Sequence, residues 1–510
     1  MITRMFHSTH KNDLYFFLFL AVYAGGLSLL AVNDFIWIDE GYSLITSARS
    51  AGYAFEKALT FEMQPPLYFV MLSLWRDLGD SITFARFLSL LLLLLMVAPL
   101  KALFKRLFGH RHQLFAMVFL TSPLVLTTAL EIRYPILVFL LTVLIEYLFL
   151  ITYYTGKPRI WLRVGYIAAA ILGVYTQYYV SFLLVANFLV LLLQNRQKAI
   201  KRYLPDMIWP VAALTLILPY LEYQINHSSS YCSLEVNPKF FLSFFYHHFN
   251  DLVISAPHYS NDLTNWFLRP VFLGLLILPV FLRPVKSFLN NVLKSQYLHK
   301  VVILMILYAF LAVLLNVTRL YVRYLTVAFV PFWIIGLIVL NQLRNQKLVI
   351  IISLMFIGLS LGYFTWCKVN QPRGQKYQVI AEYIMKNEES GQPIFLYRNQ
   401  LSLVLNPAYE GKNKIYPIPE EVTPEKAYNL KDWAIENRQE VDSLFRAHSG
   451  KTLWLITTNN SWLERRHCID YNDEILNRYV MDHFDILSEK RIKGIHVRKL
   501  AWKPTDRGNP

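Results

Sequence analysis

The stretch Leu14-Tyr-Phe-Phe-Leu-Phe-Leu-Ala-Val-Tyr-Ala-Gly-Gly-Leu-Ser-Leu-Leu-Ala-Val32, followed shortly by Trp37-Ile-Asp39-Glu40-Gly41-Tyr42, decides what kind of molecule this is. The first part is an uncharged, apolar run close to the roughly 20 residues that cross a bilayer. It carries no small-residue cleavage site and the chain beyond it stays apolar, so it reads as a span rather than a removed signal. Arg4 and Lys11 precede it, which places the N-terminus in the cytoplasm and Asp39-Glu40 outside. Acidic side chains just beyond a span must face water or a polar cavity rather than lipid. This segment and its continuation, Glu62-Met-Gln64-Pro65-Pro66-Leu67-Tyr68, therefore form a candidate site.

Composition sets the same class. The 510 residues are 55% hydrophobic, 15% aromatic and 16% charged, with a mean hydropathy of +0.35. These values exclude an ordinary soluble enzyme and fit a multi-pass membrane protein with one polar portion. The net charge of +16 would otherwise point to nucleic acid. The cations lie between apolar runs, where membrane topology places them, and no nucleic-acid partner is expected. Cys232, Cys367 and Cys468 show no metal-ligand spacing and are odd in number, so they read as structural.

Further apolar runs lie at about 82–104, 113–130, 132–152, 160–177, 179–194, 206–222, 265–282, 300–316, 321–340 and 348–366. The loops around Lys105, Arg106 and Arg111, around Lys157, Arg159 and Arg163, around Arg196 to Arg202, around Arg283 to Lys300, and around Arg344 and Lys347 are basic and read as cytoplasmic. Asp39, Glu40, Glu62, Glu131, Gln177, the 223–264 loop, Arg319 and Arg323 fall on the opposite side. The short run 65–78 ends in Trp75-Arg76-Asp77, and counting it as a span would invert every later loop. At this length it reads as a juxtamembrane helix opened by Pro65-Pro66, where missing amide donors cost least. About eleven spans result, with the C-terminus outside.

After Trp366 the chain turns polar. Gln375–Asn387 and Lys431–Ala447 read as helices, Pro393–Tyr397 and Lys451–Thr457 as strands, and Asn459-Asn460-Ser461 as a turn. The expected architecture is a mostly α, polytopic transmembrane domain (1–368, with a first external loop at 33–81) and a small extracytoplasmic α/β domain (369–510). No repeat, Walker loop, GxGxxG, HExxH or nucleophile elbow is present.

The ordered set Trp37-Ile-Asp39-Glu40-Gly41-Tyr42-Ser43, Glu62-x-x-Pro65-Pro66-Leu67-Tyr68, Glu131-Ile-Arg133-Tyr134, Tyr175-Thr-Gln177-Tyr178 and Arg323-Tyr324-Leu325 resembles the GT-C superfamily of integral-membrane glycosyltransferases. It is most similar to bacterial relatives of the protein O-mannosyltransferases and the lipid A aminoarabinose transferases. The resemblance covers about the first 340 residues. It implies a GT-C-type fold in the inner (plasma) membrane, a sugar donor carried on a polyprenyl phosphate, and use of that donor on the external face. The acceptor class it implies is a glycolipid, glycan or protein hydroxyl. Gln64, Tyr68, Glu131, Tyr134, Gln177, Tyr178 and Tyr324 enter as candidate substrate contacts. Such sequences commonly carry His at the positions of Gln64 and Gln177. A glutamine hydrogen-bonds but does not titrate, which removes imidazole proton transfer at both places.

Chemistry read from the residues agrees. Glycosyl transfer from a lipid phosphate needs a base for the acceptor hydroxyl and cations for the departing phosphate, but scarcely an acid, because the phosphate leaves as an anion. Asp39 is the natural base, with Glu40 or Glu62 orienting it, binding sugar hydroxyls, or holding a divalent cation with it. Arg133, Arg319 and Arg323 are candidate phosphate ligands through the guanidinium fork. Each has a structural competitor: solvation for the carboxylates, pairing of Arg133 with Glu131, and snorkelling of Arg319 and Arg323. His247, His248 and His258 lack helical metal-ligand spacing and read as loop residues. A lipid-linked polysaccharide polymerase or ligase is the nearest alternative, and a lipid or solute transporter a more distant one that would more often show paired broken helices and no large external domain.

Cysteine-accessibility labelling is expected to place Asp39, residues 230–260 and the tail from 370 outside, with Lys105 and Lys198 inside. A cytoplasmic tail would make 65–78 a true span.

Overall fold

The computed structural model describes residues 2–155, 159–227, 237–253, 274, 292–315, 322–370, 374–426, 434–458 and 472–504, with side chains from residue 13. All of the expected run at 265–282 except residue 274, most of Arg283 to Lys294, Arg319, His258, Cys232, Cys468 and the 459–461 turn lie outside the described residues.

The membrane part opens with α1 (Ile2–Asn33). One face of α1 buries Phe16, Tyr23, Leu27 and Ala31, yet Leu18, Val22 and Leu29 on other faces stand exposed. A helix apolar all round and covered by protein on one side only has lipid for its remaining surface. Three short helices follow on one side: α2 (Ile38–Thr46), α3 (Ala51–Thr60) and α4 (Leu67–Arg76). The last answers to the short helix expected over 65–78 and is ten residues long with Pro66 at its N-cap. The bundle continues through α5 (Ile82–Phe108), α6 (His112–Leu120), α7 (Pro123–Ala129), α8 (Pro135–Phe149), α9 (Ile160–Val174), α10 (Val180–Leu193), α11 (Gln197–Thr215), α12 (Leu218–His227) and α13 (Pro238–Val253). It ends with α14 (Gln296–Leu314), a 3-10 turn at Val322–Leu325, α15 (Thr326–Asn341) and α16 (Gln346–Asn370).

Six helices among the described residues are long and apolar enough to cross a membrane, or seven if α11 and α12, bent by 61° at their junction, form one span. The expected run 113–130 is two pieces, α6 and α7, because Pro123 starts a new helix after Thr121-Ser122. The run 132–152 starts late, at Pro135, leaving Glu131 to Tyr134 as a turn at the end of the bundle.

Two loop cations expected at the cytoplasmic surface are inside the fold. Lys300 is fully buried in α14 and donates to Glu146 of α8 at 2.5 Å, under the rings of Phe149 and Tyr297. Arg111 turns inward to the Asn341 and Leu343 carbonyls and the Gln346 side chain, joining α6 to the α15–α16 connection.

The tail is a five-stranded sheet of order β2-β1-β3-β5-β4, with β1 Ile394–Tyr397, β2 Ile415–Ile418, β3 Leu453–Thr458, β4 Phe484–Ile492 and β5 Ile495–Trp502. Strands β2, β1 and β3 are parallel; β5 runs antiparallel to β3 and forms a hairpin with β4. The hairpin turns through Lys493-Gly494, both at positive φ, the twist a two-residue loop demands. β1 is buried throughout and β3 nearly so, which is why both read as continuous apolar runs. Helix α17 (Gln375–Asn387) has the expected bounds. The helix expected over Lys431–Ala447 is shorter, α19 (Arg438–Arg446), because the Asn437 side chain accepts the Glu440 amide and caps it there. The one-turn helix α18 (Ser402–Leu405) precedes it and α20 (Asp473–His483) follows.

The sheet domain packs on α2 and α3. Tyr42 and Phe61 share a buried cluster with Phe395, Tyr397, Ile418 and Val422, and Ile36 shares another with Tyr377, Ile394 and Leu401. The tail and the Asp39 segment therefore lie on one side of the membrane, which requires an even number of crossings between them.

Lys300→Met should lower stability by about 3–5 kcal/mol, the scale for stranding a buried charge, while Glu146→Leu with Lys300→Met should recover most of it. Thermal unfolding of detergent-solubilised protein measures both.

Candidate functional site

The first turn of α2 presents Asp39 and Glu40, two anions at the positive end of a helix. Adjacent helical residues point about 100° apart, so the two carboxylates meet different partners. Glu40 is 2% exposed, and both of its oxygens are occupied. Oε2 accepts the Trp37 amide at 3.1 Å and Arg86 at 3.2 Å; Oε1 accepts the Ile132 amide at 3.0 Å and Arg86 Nε at 3.4 Å. Glu40 is thus a strut between α2, α5 and the 131–134 turn. With its oxygens committed, Asp39 and Glu40 do not offer a joint cation site, and among the described residues no cluster of three or more His, Cys, Asp or Glu has metal-site geometry.

Asp39 faces the other way and forms an ion pair with Arg323 of the Val322–Leu325 turn. Both side chains keep about a fifth of their surface open, 21% for Asp39 and 23% for Arg323. This is the accessible acid and cation of the site. Arg323 is carried by the 3-10 turn Val322–Leu325.

Arg133 is buried and pairs with Glu62 at 2.9 Å, not with its sequence neighbour Glu131. The same Nη1 donates to the Asp39 carbonyl at 3.1 Å and to Ser43 Oγ at 3.0 Å. One guanidinium therefore fixes the first turn of α2 to the loop after α3. Burial pushes the Glu62 carboxyl above its ordinary value, and Arg133 opposes that rise through charge and hydrogen bonding. Glu131 is half-buried, and its carbonyl accepts from Ser89 Oγ.

The remaining motifs reach the same end of the bundle through their backbones. The Leu67 amide donates to the Tyr175 carbonyl at 2.9 Å. Gln177 is buried and its Nε2 donates to the Arg323 carbonyl at 3.3 Å. Tyr324 stacks edge-on against Tyr179, with Arg323 over its own ring. Tyr134 is fully buried beneath Arg133, and Tyr68 is fully buried in α4. Tyr178 and Gln64 are half-buried, with Gln64 in the turn that Met63 makes at positive φ. Segments 39–43, 62–68, 131–134, 175–178 and 323–325, far apart in sequence, thus meet around Asp39 and Arg323. His247 and His248 lie on helix α13 rather than in a loop, with His248 Nδ1 2.6 Å from the Phe244 carbonyl.

Sequence reading missed Arg86. Its signal was legible: it is the one charged residue between Ile82 and Leu100, and a cation inside an apolar run marks a partner nearby.

With the geometry in hand, relatives can be placed. The family described as dolichyl-phosphate-mannose-protein mannosyltransferase matches residues 63–223, less than half of the chain. The fold is shared with ArnT from Cupriavidus metallidurans. The structure bound to undecaprenyl phosphate is 15% identical, with a TM-score of 0.58 over 95% of this chain and 98% of that one. The apo structure is 14% identical, with a TM-score of 0.59 over 96% and 98%. No curated protein matches in sequence. The expected mostly α membrane fold with a small C-terminal α/β domain is the fold this chain shares with ArnT.

Arg133→Ala should destabilise the protein by about 3–5 kcal/mol by leaving Glu62 buried and uncompensated. In combination with Glu62→Gln the loss should be less than additive by about 1 kcal/mol or more, as unfolding of the single and double variants would show.

Proposed function

We propose that this protein is a membrane glycosyltransferase that moves a sugar from a polyprenyl-phosphate-linked donor to a hydroxyl of a glycolipid, glycan or protein on the external face of the inner membrane. The observation that carries this reading is the partly open Asp39–Arg323 pair where the motif segments converge. The ArnT fold supports it, one structure of which holds undecaprenyl phosphate.

In the reaction, the acceptor oxygen attacks the anomeric carbon as the bond from that carbon to the phosphate oxygen breaks. The acceptor proton passes to the Asp39 carboxylate, and the electron pair of the broken bond leaves on the polyprenyl phosphate. Arg323 is placed to receive that growing charge, since a guanidinium stays charged when desolvated and fits phosphate oxygens with its fork. A phosphate seated on Arg323 competes with Asp39 for the same cation, so donor binding releases the carboxylate to act as base. Arg133 is committed to Glu62, Ser43 and the Asp39 carbonyl, and its part is to hold the α2 turn. Gln177 supports Arg323 from behind through its carbonyl.

Asp39→Asn should leave donor binding largely intact and lower turnover by about 100-fold or more, the usual scale for a positioned general base. Arg323→Ala should weaken donor binding as well as turnover, with Lys restoring only part, because it supplies a point charge without the fork. Turnover and donor binding of purified protein with a polyprenyl-phosphate sugar test both. Turnover with a water-soluble sugar nucleotide alone would overturn the reading.

A further inference from the structure

Helix α2 belongs to two cores at once. Its acidic turn is bound into the membrane part by Arg86, Arg133 and the Ile132 amide. Its other side carries Tyr42 into the buried cluster of the C-terminal sheet, with Ile38, Ile45 and Leu403 packed against the same cluster.

Two glycines, one from each part of the chain, set how closely these surfaces meet. A Cβ on Gly41 would stand 2.7 Å from Leu403 Cβ and 3.1 Å from the Leu403 carbonyl oxygen. A Cβ on Gly374, at the N-cap of α17, would fall on the Ile36 carbonyl oxygen and 2.5 Å from Phe35 Cβ. Neither glycine has a positive φ, so neither is required by backbone conformation. Each is required by contact, and at Gly374 the obstacle includes backbone that cannot rotate away. The segment leading into α2 is gripped again by the ion pair between Lys368, at the end of α16, and Asp34.

We infer that the C-terminal domain is a working part of the site: it sets the position of α2, and Gly41 and Gly374 are positioning residues that place Asp39 relative to Arg323. The inference rests on the proposed transferase reading only for its effect on turnover. A side chain at either glycine pries α2 from the sheet domain and moves Asp39, while Arg323 and Gln177 stay on elements that the tail does not touch at these contacts. A displacement near 1 Å at a reacting group costs about 100-fold in rate.

The test uses the full-length purified protein with Gly41→Ala, Gly374→Ala and the milder Leu403→Ala. Gly52→Ala in α3, where a Cβ meets nothing within 4 Å, is the control. Two readouts are taken: hydrogen–deuterium exchange of residues 38–46, and turnover with a polyprenyl-phosphate sugar. The three contact variants are expected to exchange faster across 38–46 and to lose kcat, by about 100-fold for Gly41→Ala, with a much smaller change in donor KM. Gly52→Ala should match the wild type. Leu403→Gly removes the nearer obstacle and should return part of the activity of Gly41→Ala. Unchanged exchange in Gly41→Ala and Leu403→Ala overturns the inference, as does faster exchange with unchanged turnover. A wild type that does not use the lipid donor overturns the transferase reading instead, and the exchange arm still decides whether the tail anchors α2.

Discussion

Arg86 is the knot from which the end of the protein that carries Asp39 is built. From α5 its guanidinium donates to the carbonyls of Ala31, Asp34 and Phe35, where α1 ends, and to both oxygens of Glu40, where α2 begins. A helix ends with carbonyls that lack partners, and a cation there is favoured, as an anion is at the start of the next helix. Arg86 is 1% exposed and Glu40 2%, so the pair is tolerated only because its hydrogen bonds are so fully supplied. The same contact fixes the exit of the first span, the entry of α2 and, through the Ile132 amide, the turn that carries Arg133. Asp39 is left facing outward by default, because its neighbour is held inward.

Hydropathy made most of the membrane part legible, since lipid-facing and buried surfaces are both apolar and differ from loops. It could not show where a run breaks. The Thr121-Ser122-Pro123 interruption is a local backbone matter inside an apolar stretch, and the bend between α11 and α12 is similar. Lys300 looked like one more loop cation because its partner, Glu146, lies 154 residues away. In the tail the buried central strands stood out as apolar runs. The β4–β5 hairpin did not, because β4 is exposed along much of its length and carries mostly polar side chains.

The membership of the site was legible as an ordered set of motifs, and those segments do meet. The division of labour among them was not. Asp39 and Glu40 look alike in sequence, yet helical geometry turns one to an open arginine and the other into a buried strut. Arg133 and Arg323 look equally fit to bind phosphate, but Arg133 is buried with its Nη1 turned to three acceptors of the chain itself, whereas Arg323 keeps about a fifth of its side chain open. The tail reads as a separate small domain, because nothing in a linear reading shows that Gly41 is flush against Leu403.

That contact has a consequence for how the protein is made. Helix α2 leaves the ribosome among the first residues and is inserted with the first span, yet the surface that completes its packing belongs to the last third of the chain. Through the synthesis of the intervening membrane helices, Tyr42 and Phe61 have no sheet to cover them, and the long loop between the partners must be closed before the contact forms. A chain that stalls or is clipped before β3 would leave a membrane bundle whose acidic turn is still held by Arg86 while the Tyr42 side of α2 stays uncovered. The packing of α2 is therefore completed only once the last third of the chain has been made.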